Sequence, residues 1–159
     1  MDRILLFVKE NIRLLLGGVV VIFAIVIVMT LILNGKKSTR VTVNDQKFNV
    51  TVAKTDKEQQ VGLSNRKQLS KNQGMLFIFK DPDYYSFWMK DMKFPIDIIY
   101  ISGDKVVTVI ENAKPPSSSN ENLAIYQPEE KSDKVLEVNA GAANKYKVKK
   151  GTTIKIENL

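Results

Sequence analysis

Two hydrophobic patterns divide the chain. Residues 14–33, LLLGGVVVIFAIVIVMTLIL, run without a charge, whereas from residue 40 onward apolar and polar side chains mostly alternate. At about 1.5 Å per residue, a helix over the first run spans the roughly 30 Å hydrocarbon core of a bilayer. The run is therefore expected to be a transmembrane helix. It exceeds the about 7–15 apolar residues of a cleavable signal peptide. It also leads into Asn34, Gly35, Lys36 and Lys37 rather than a small-residue cleavage site, so cleavage is not expected. The chain has no Cys to carry a lipid.

The second pattern predicts strands. In VTVNDQKFNVTVA (41–53), Val41 and Val43 share a face, Asn44-Asp45 suits a tight turn, and Phe48, Val50 and Val52 alternate with polar neighbours, which predicts an opening hairpin. Thr55 followed by Glu58 is a capping box, predicting a short helix from Asp56 to Val61 that stops at Gly62. GMLFIF (74–79) reads as a strand buried on both sides, with a turn at Asp81-Pro82-Asp83. Further strands are expected at YYSFWM (84–89), IDIIYI (96–101), VVTVI (106–110), KVLEV (134–138) and TTIKIE (152–157), with a short helix at AGAANKY. Residues 112–133 form a long polar loop with three Pro and four Ser, a length that usually marks function or mobility. Many short strands and two minor helices imply an antiparallel β-sandwich or jelly-roll-like domain. The expected organisation is an N-terminal flank (1–13), a transmembrane helix (14–33), a juxtamembrane linker (34–40) and a β-domain (41–159).

Composition narrows the chemistry. A chain of 159 residues is one domain's worth, and it has neither Cys nor His, which excludes disulfide scaffolds, thiol nucleophiles, Cys/His zinc sites and imidazole-based catalysis. No GxSxG, GxGxxG or GxxxxGK[ST] is present, so the usual hydrolase, dinucleotide and nucleotide fingerprints are missing. A metal would need oxygen ligands, and no EF-hand spacing occurs. Neither a metal nor a cofactor is expected. The net charge is +7, concentrated after the apolar run at Lys36, Lys37 and Arg40, where it suits anionic headgroups, and in KYKVKK (145–150). The second cluster reads as a solvated face in preference to a nucleic-acid patch. Basic residues flank the apolar run on both sides, so the positive-inside rule does not set its orientation.

Three positions stand out. In an extended SFWMK, Trp88 and Lys90 share one face while Phe87 and Met89 take the other. Trp88, the single Trp, is either a core plug or a stacking platform beside a cation. Asp97 shares a strand face with Ile99 and Ile101, and Glu137 shares one with Val135 and Asn139. A buried carboxylate must be paired, hydrogen-bonded or protonated, and Arg66, Lys90 and Lys93 are the available partners. Structural ion pairing and an acid–base pair in a cleft both fit such residues.

TDKEQQVGLSNR, GMLFIF, FWMKDMKFPIDIIYI, ENAKPP and KVLEVNAG, taken in order and spacing, resemble the family known as domain of unknown function 192 over about residues 41–157. The resemblance implies a compact, mainly antiparallel β-fold placed outside the cytoplasm, behind a signal peptide or anchor, with no established activity. The family's polar motif positions are met at Glu58, Arg66, Lys90, Asp97, Asn112, Glu137 and Asn139, with Trp88 and Met89 as companions. Ser64 stands where the family often has Met, and Asp91 where Asn is usual, which places a carboxylate next to Lys90. The long loop lacks the Cys of some members.

The expected protein is thus anchored by a single membrane span, with its N-terminus cytoplasmic and its β-domain extracytoplasmic. The expected role is binding a cell-envelope ligand, a glycan or a protein partner, through these nine residues. One alternative is a hydrolase of envelope glycans using Asp97 with Glu58 or Glu137. Another is an assembly factor whose polar residues form a structural network.

Overall fold

The computed structural model describes residues 2–33, 38–118 and 123–159, leaving aside some side chains of the N-terminal helix. The chain forms two compact units, residues 1–37 and 38–159. In the first, α1 (Asp2–Leu33) is one continuous helix, so the uncharged run is helical, within a helix that starts earlier. Described apolar side chains along it, from Ile4 to Met29, are exposed. Among the described residues no helix is long and apolar enough to cross a membrane. The expected linker residues 34–37 lie outside the described residues.

The second unit is mainly β, with nine strands among the described residues: β1 (Arg40–Val43), β2 (Gln46–Ala53), β3 (Gln73–Asp83), β4 (Phe87–Trp88), β5 (Ile96–Ser102), β6 (Lys105–Ala113), β7 (Ile125–Tyr126), β8 (Ser132–Asn139) and β9 (Ile154–Glu157). The two short helices are α2 (Asp56–Val61) and α3 (Ala142–Lys145). Seven strands form one mixed sheet in the order β6-β5-β8-β3-β2-β1-β9, and β4 and β7 form a separate ribbon. The expected two-sheet sandwich or jelly roll is therefore replaced by a single curled sheet. Its outer strands come together at a bridge between Lys105 and Thr153, supported by Val106 N–H to Thr152 O (2.9 Å) and Ile154 N–H to Asp104 O (2.8 Å). Curling lets one sheet enclose its own core, which a flat sheet would need a partner to cover. β2 and β3 pair in parallel, because α2 and the following loop carry the chain back across the sheet.

Strand alternation sorts side chains onto two faces. The inner face gathers Val41, Phe48, Leu76, Ile99, Leu136, Val138 and Ile154 into one cluster. The outer face carries Met75, Phe77, Ile98, Tyr100 and Val135, packed with Leu63, Leu69 and Met89. Because both faces are covered, β5 is buried from Ile96 to Ile101, and β3 from Gly74 to Phe77, as its unbroken apolar run predicts.

The opening hairpin follows its predicted turn, with Asn44 at φ 50°. The capping box at Thr55 and Glu58 also forms, and α2 ends at Gly62. Other expectations need correction. Asp81-Pro82-Asp83 is not a turn: β3 continues through it past an irregularity between Ile78 and Asp83, where Pro needs no ladder partner. Of the strand expected over 84–89, only Phe87 and Trp88 pair, with Tyr126 and Ile125. β7 lies inside the expected loop, β8 begins at Ser132, and residues 119–122 of that loop lie outside the described residues.

At Gly74, β3 runs against β8 with no room for a side chain. A Cβ there would lie 2.8 Å from the Glu137 carbonyl oxygen, with Val50 and Val138 at 3.3 Å. Backbone rather than a flexible side chain would have to give way. Gly74→Ala is expected to lower the stability of the β-domain by about 1–3 kcal/mol, read as a shift of the urea midpoint at unchanged slope; an unshifted midpoint would contradict this packing.

Candidate functional site

A cleft of about 290 Å³ opens on the outer face, lined by α2 and its C-terminal turn, the end of β3, the 85–92 segment and Glu137. Each wall has a local cause. α2 is held at its N-terminus by the reciprocal cap: Glu58 N–H donates to Thr55 Oγ1 (3.3 Å), and Glu58 Oε2 accepts from the N–H groups of Lys54 (3.0 Å) and Thr55 (2.9 Å). These bonds hold the Glu58 carboxyl below the usual carboxylate range, the one from the Thr55 backbone contributing most. Gln59 Nε2 donates to Ile78 O (2.9 Å), tying α2 to β3 beside the cleft.

The opposite wall is aromatic. Phe79 stacks on Tyr85 with ring centroids 3.6 Å apart, and Phe87 meets Phe77 (5.0 Å) and Tyr100 (5.8 Å) edge to face. Such contacts fix ring orientation. Tyr85 donates its hydroxyl to Asp81 O (2.7 Å). Burial, with Asp83 and Asp81 adding to it, raises the pKa of its phenol. Trp88 stands at the mouth, 59% exposed, with exposed Lys90 also lining the cleft. The expected division of that strand holds: Trp88 and Lys90 are open to solvent, while Phe87 and Met89 turn toward the core. Trp88 is not a core plug.

Glu137 forms part of the cleft wall. Met75 of β3 and Ile98 of β5 are its cross-strand neighbours, and Val135 precedes it on the same face. The residue is 6% exposed, and its Oε2 has no hydrogen-bond partner among the described residues. Burial pushes its pKa up to about 8. Tyr100, on the same face, has its phenol pKa raised by burial and then by the neighbouring Glu137 charge; its hydroxyl donates to Tyr126 O (2.9 Å), joining β5 to β7.

The remaining candidates are placed elsewhere. Asp97 is fully buried, on the sheet face opposite Glu137, since its register partner is Val138. Its Oδ1 accepts from the N–H groups of Asn112 (2.8 Å) and Gly141 (3.2 Å), and its Oδ2 from Ala143 N–H (2.8 Å). It thus joins the end of β6 to the start of α3. Asn112 takes φ 54° there. Asn139 Nδ2 donates to Leu69 O (3.0 Å) and Ser70 O (3.1 Å), and Arg66 Nη2 to Thr51 Oγ1 (2.8 Å). Neither Asp97 nor Glu137 has an ion-pair partner among the described residues, so the pairing expected with Arg66, Lys90 or Lys93 is absent there. Of the nine candidate residues, the cleft brings together Trp88, Lys90 and Glu137. Met89 is buried in the outer cluster, and Glu58, Arg66, Asp97, Asn112 and Asn139 hydrogen-bond to loops, caps and a strand. Asp91 sits at φ 59°, a conformation Asn and Asp tolerate, and Ser64 Oγ donates to Val61 O (2.7 Å) at the end of α2.

Sequence reasoning missed Asp56, Gln59, Phe79, Tyr85 and Met92. The aromatic density of residues 77–88 was the available signal for the rings. Among the described residues no group of three metal-ligating side chains occurs.

The family DUF192, described as Uncharacterized ACR, matches residues 39–156. Two solved structures are similar. One is a protein of Sinorhizobium meliloti described as a candidate transcription regulator, with 29% identity and a TM-score of 0.67, covering 76% of this chain and 93% of that one. The other is a protein of unknown function from Novosphingobium aromaticivorans, with 30% identity and a TM-score of 0.63, covering 74% of this chain and 83% of that one. No curated protein matches the chain.

The raised pKa of Glu137 has a sign. An unfolded Glu loses its proton near 4.5, whereas in the fold it keeps it to about 8. The native state therefore binds the extra proton between these values, and stability falls as pH rises through the window, by a few kcal/mol in order of magnitude. Urea unfolding at pH 5.5 and 8.5 is expected to show the loss, and Glu137→Gln is expected to remove most of it. An equal slope in the variant would contradict the assignment.

Proposed function

Because the chain belongs to the DUF192 family, which carries no assigned chemistry, we propose from the site itself that it is a ligand-binding module. The ligand enters the cleft beneath Trp88 and satisfies Glu137. The observation that carries this reading is Glu137 Oε2, unpartnered among the described residues, in the wall of an aromatic cleft. Leaving such an oxygen bare costs about 1–3 kcal/mol, and a bound donor would recover it. A sugar ring stacked on Trp88, or a side chain of a protein partner, fits a site that is apolar with few polar groups. The two-carboxylate hydrolase has less support, because Asp97 lies on the sheet face opposite Glu137 and both Asp97 and Glu58 accept from backbone N–H groups.

A nucleic-acid role, suggested by the description of the Sinorhizobium protein, would fall to the basic run 145–150. There Lys150 is engaged by Glu130 (2.6 Å) and Glu129 (3.4 Å), so the cleft is the better-supported site. Membrane attachment belongs to the same proposal: the uncharged run 14–33 anchors the chain, and the β-domain meets its ligand outside the cytoplasm. Its support is the sequence and the exposed apolar side chains of α1.

Trp88 is the single Trp and reports on the cleft directly. Titrating the intact chain in detergent with envelope glycans and peptides is expected to shift its emission saturably. Trp88→Ala is expected to weaken binding tenfold or more, followed calorimetrically, at an unchanged melting temperature. A panel that leaves the emission unmoved would overturn the binding reading. For topology, protease added to intact cells is expected to remove an epitope fused at the C-terminus; its full protection would refute outward placement.

A further inference from the structure

Resting on the cleft reading, we propose that the cleft takes an organic cation, a primary or methylated ammonium group carried by the ligand, seated against Phe79, Tyr85, Phe87 and Trp88 and neutralised by Glu137. Aromatic faces carry negative electrostatic potential and attract such groups within about 6 Å of a ring centroid. Here these rings converge on one cleft, and three of them are locked to one another by stacked or edge-to-face contacts. The cation–π pair found among the described residues, Lys145 over Tyr146, involves none of the cleft rings.

The carboxyl group separates this ligand class from a neutral one. A hydroxyl would supply a single hydrogen bond to Oε2, leaving the ring faces with only dispersion contacts. A primary ammonium supplies the donor and the charge together and a quaternary one the charge alone, and in either case Glu137 can ionise in a site where alone it stays protonated. The other titratable groups around it are Asp56 from α2, Tyr85 and Lys90 from the segment 85–92, and Tyr100 from β5. Asp56 favours a cation and Lys90 opposes one, but both are exposed, where their charges are screened.

Choline is the test probe, because its charge does not titrate, and 3,3-dimethylbutanol is its neutral counterpart of nearly the same shape. Both are titrated into the intact chain in a sugar-headgroup detergent, following Trp88 emission and heat. Choline is expected to bind at least tenfold more tightly. Its affinity is expected to climb up to tenfold per pH unit from pH 6 to 7.5 and level off above about 8, where Glu137 is already ionised. Glu137→Gln, with its fold checked by its melting curve, is expected to lose the advantage of choline over the neutral probe and the pH dependence with it.

Equal affinity for the two probes, or choline affinity that falls as pH rises, would overturn the cation while leaving the cleft as a ligand site. Silence toward both probes would also overturn it, and silence extending to glycans and peptides would remove the cleft reading with it.

Discussion

Three strands place one carboxyl group in hydrocarbon. Glu137 lies between Met75 and Ile98 across the sheet, with Val135 before it on the same face, and the aromatic segment 77–88 nearby on the outer face. No cation reaches it among the described residues, so desolvation dominates and the proton stays on at neutral pH. The rest of the cleft depends on this placement. An apolar residue at 137 would leave a hydrophobic dimple of little specificity; a carboxyl with a bare oxygen makes it a site that discriminates by donor and charge.

The curled sheet divides the polar residues by role. On the inner face Asp97 spends both oxygens on backbone N–H groups of Asn112, Gly141 and Ala143, so its burial is compensated and it fixes the end of β6 against α3. Glu58, Asn139 and Arg66 likewise anchor the covering of the outer face, through the cap of α2, the carbonyls of Leu69 and Ser70, and Thr51. Glu137 is buried without such compensation. Two carboxylates that look alike in sequence, each on an apolar strand, thus differ: Asp97 has backbone partners for both oxygens, and Glu137 Oε2 has none among the described residues.

Much of the fold was legible because local rules governed it. Alternation gave β1 and β2, the Thr55–Glu58 box gave α2, and an unbroken apolar run marked β3 as buried on both faces. Sheet closure was not legible. It depends on Lys105 meeting Thr153 and on the parallel pairing of β2 with β3, which alternation cannot encode. Pro82 misled as a turn signal because an irregularity in β3 absorbs it. Of the site, Trp88 and Lys90 followed from strand parity and Glu137 from its conflict with an apolar strand. Phe79, Tyr85 and Asp56 come from three separate segments whose convergence only tertiary packing creates.

The account turns on whether Glu137 is in fact protonated near neutrality, and its carboxyl carbon reports this directly. With side-chain carboxyl ¹³C labelling of Glu, the resonance that disappears in Glu137→Gln should titrate near pH 8. A Glu137 resonance that instead titrates between about pH 4 and 5 would mean a solvated or paired carboxylate, and the cleft would lose the feature that distinguishes it.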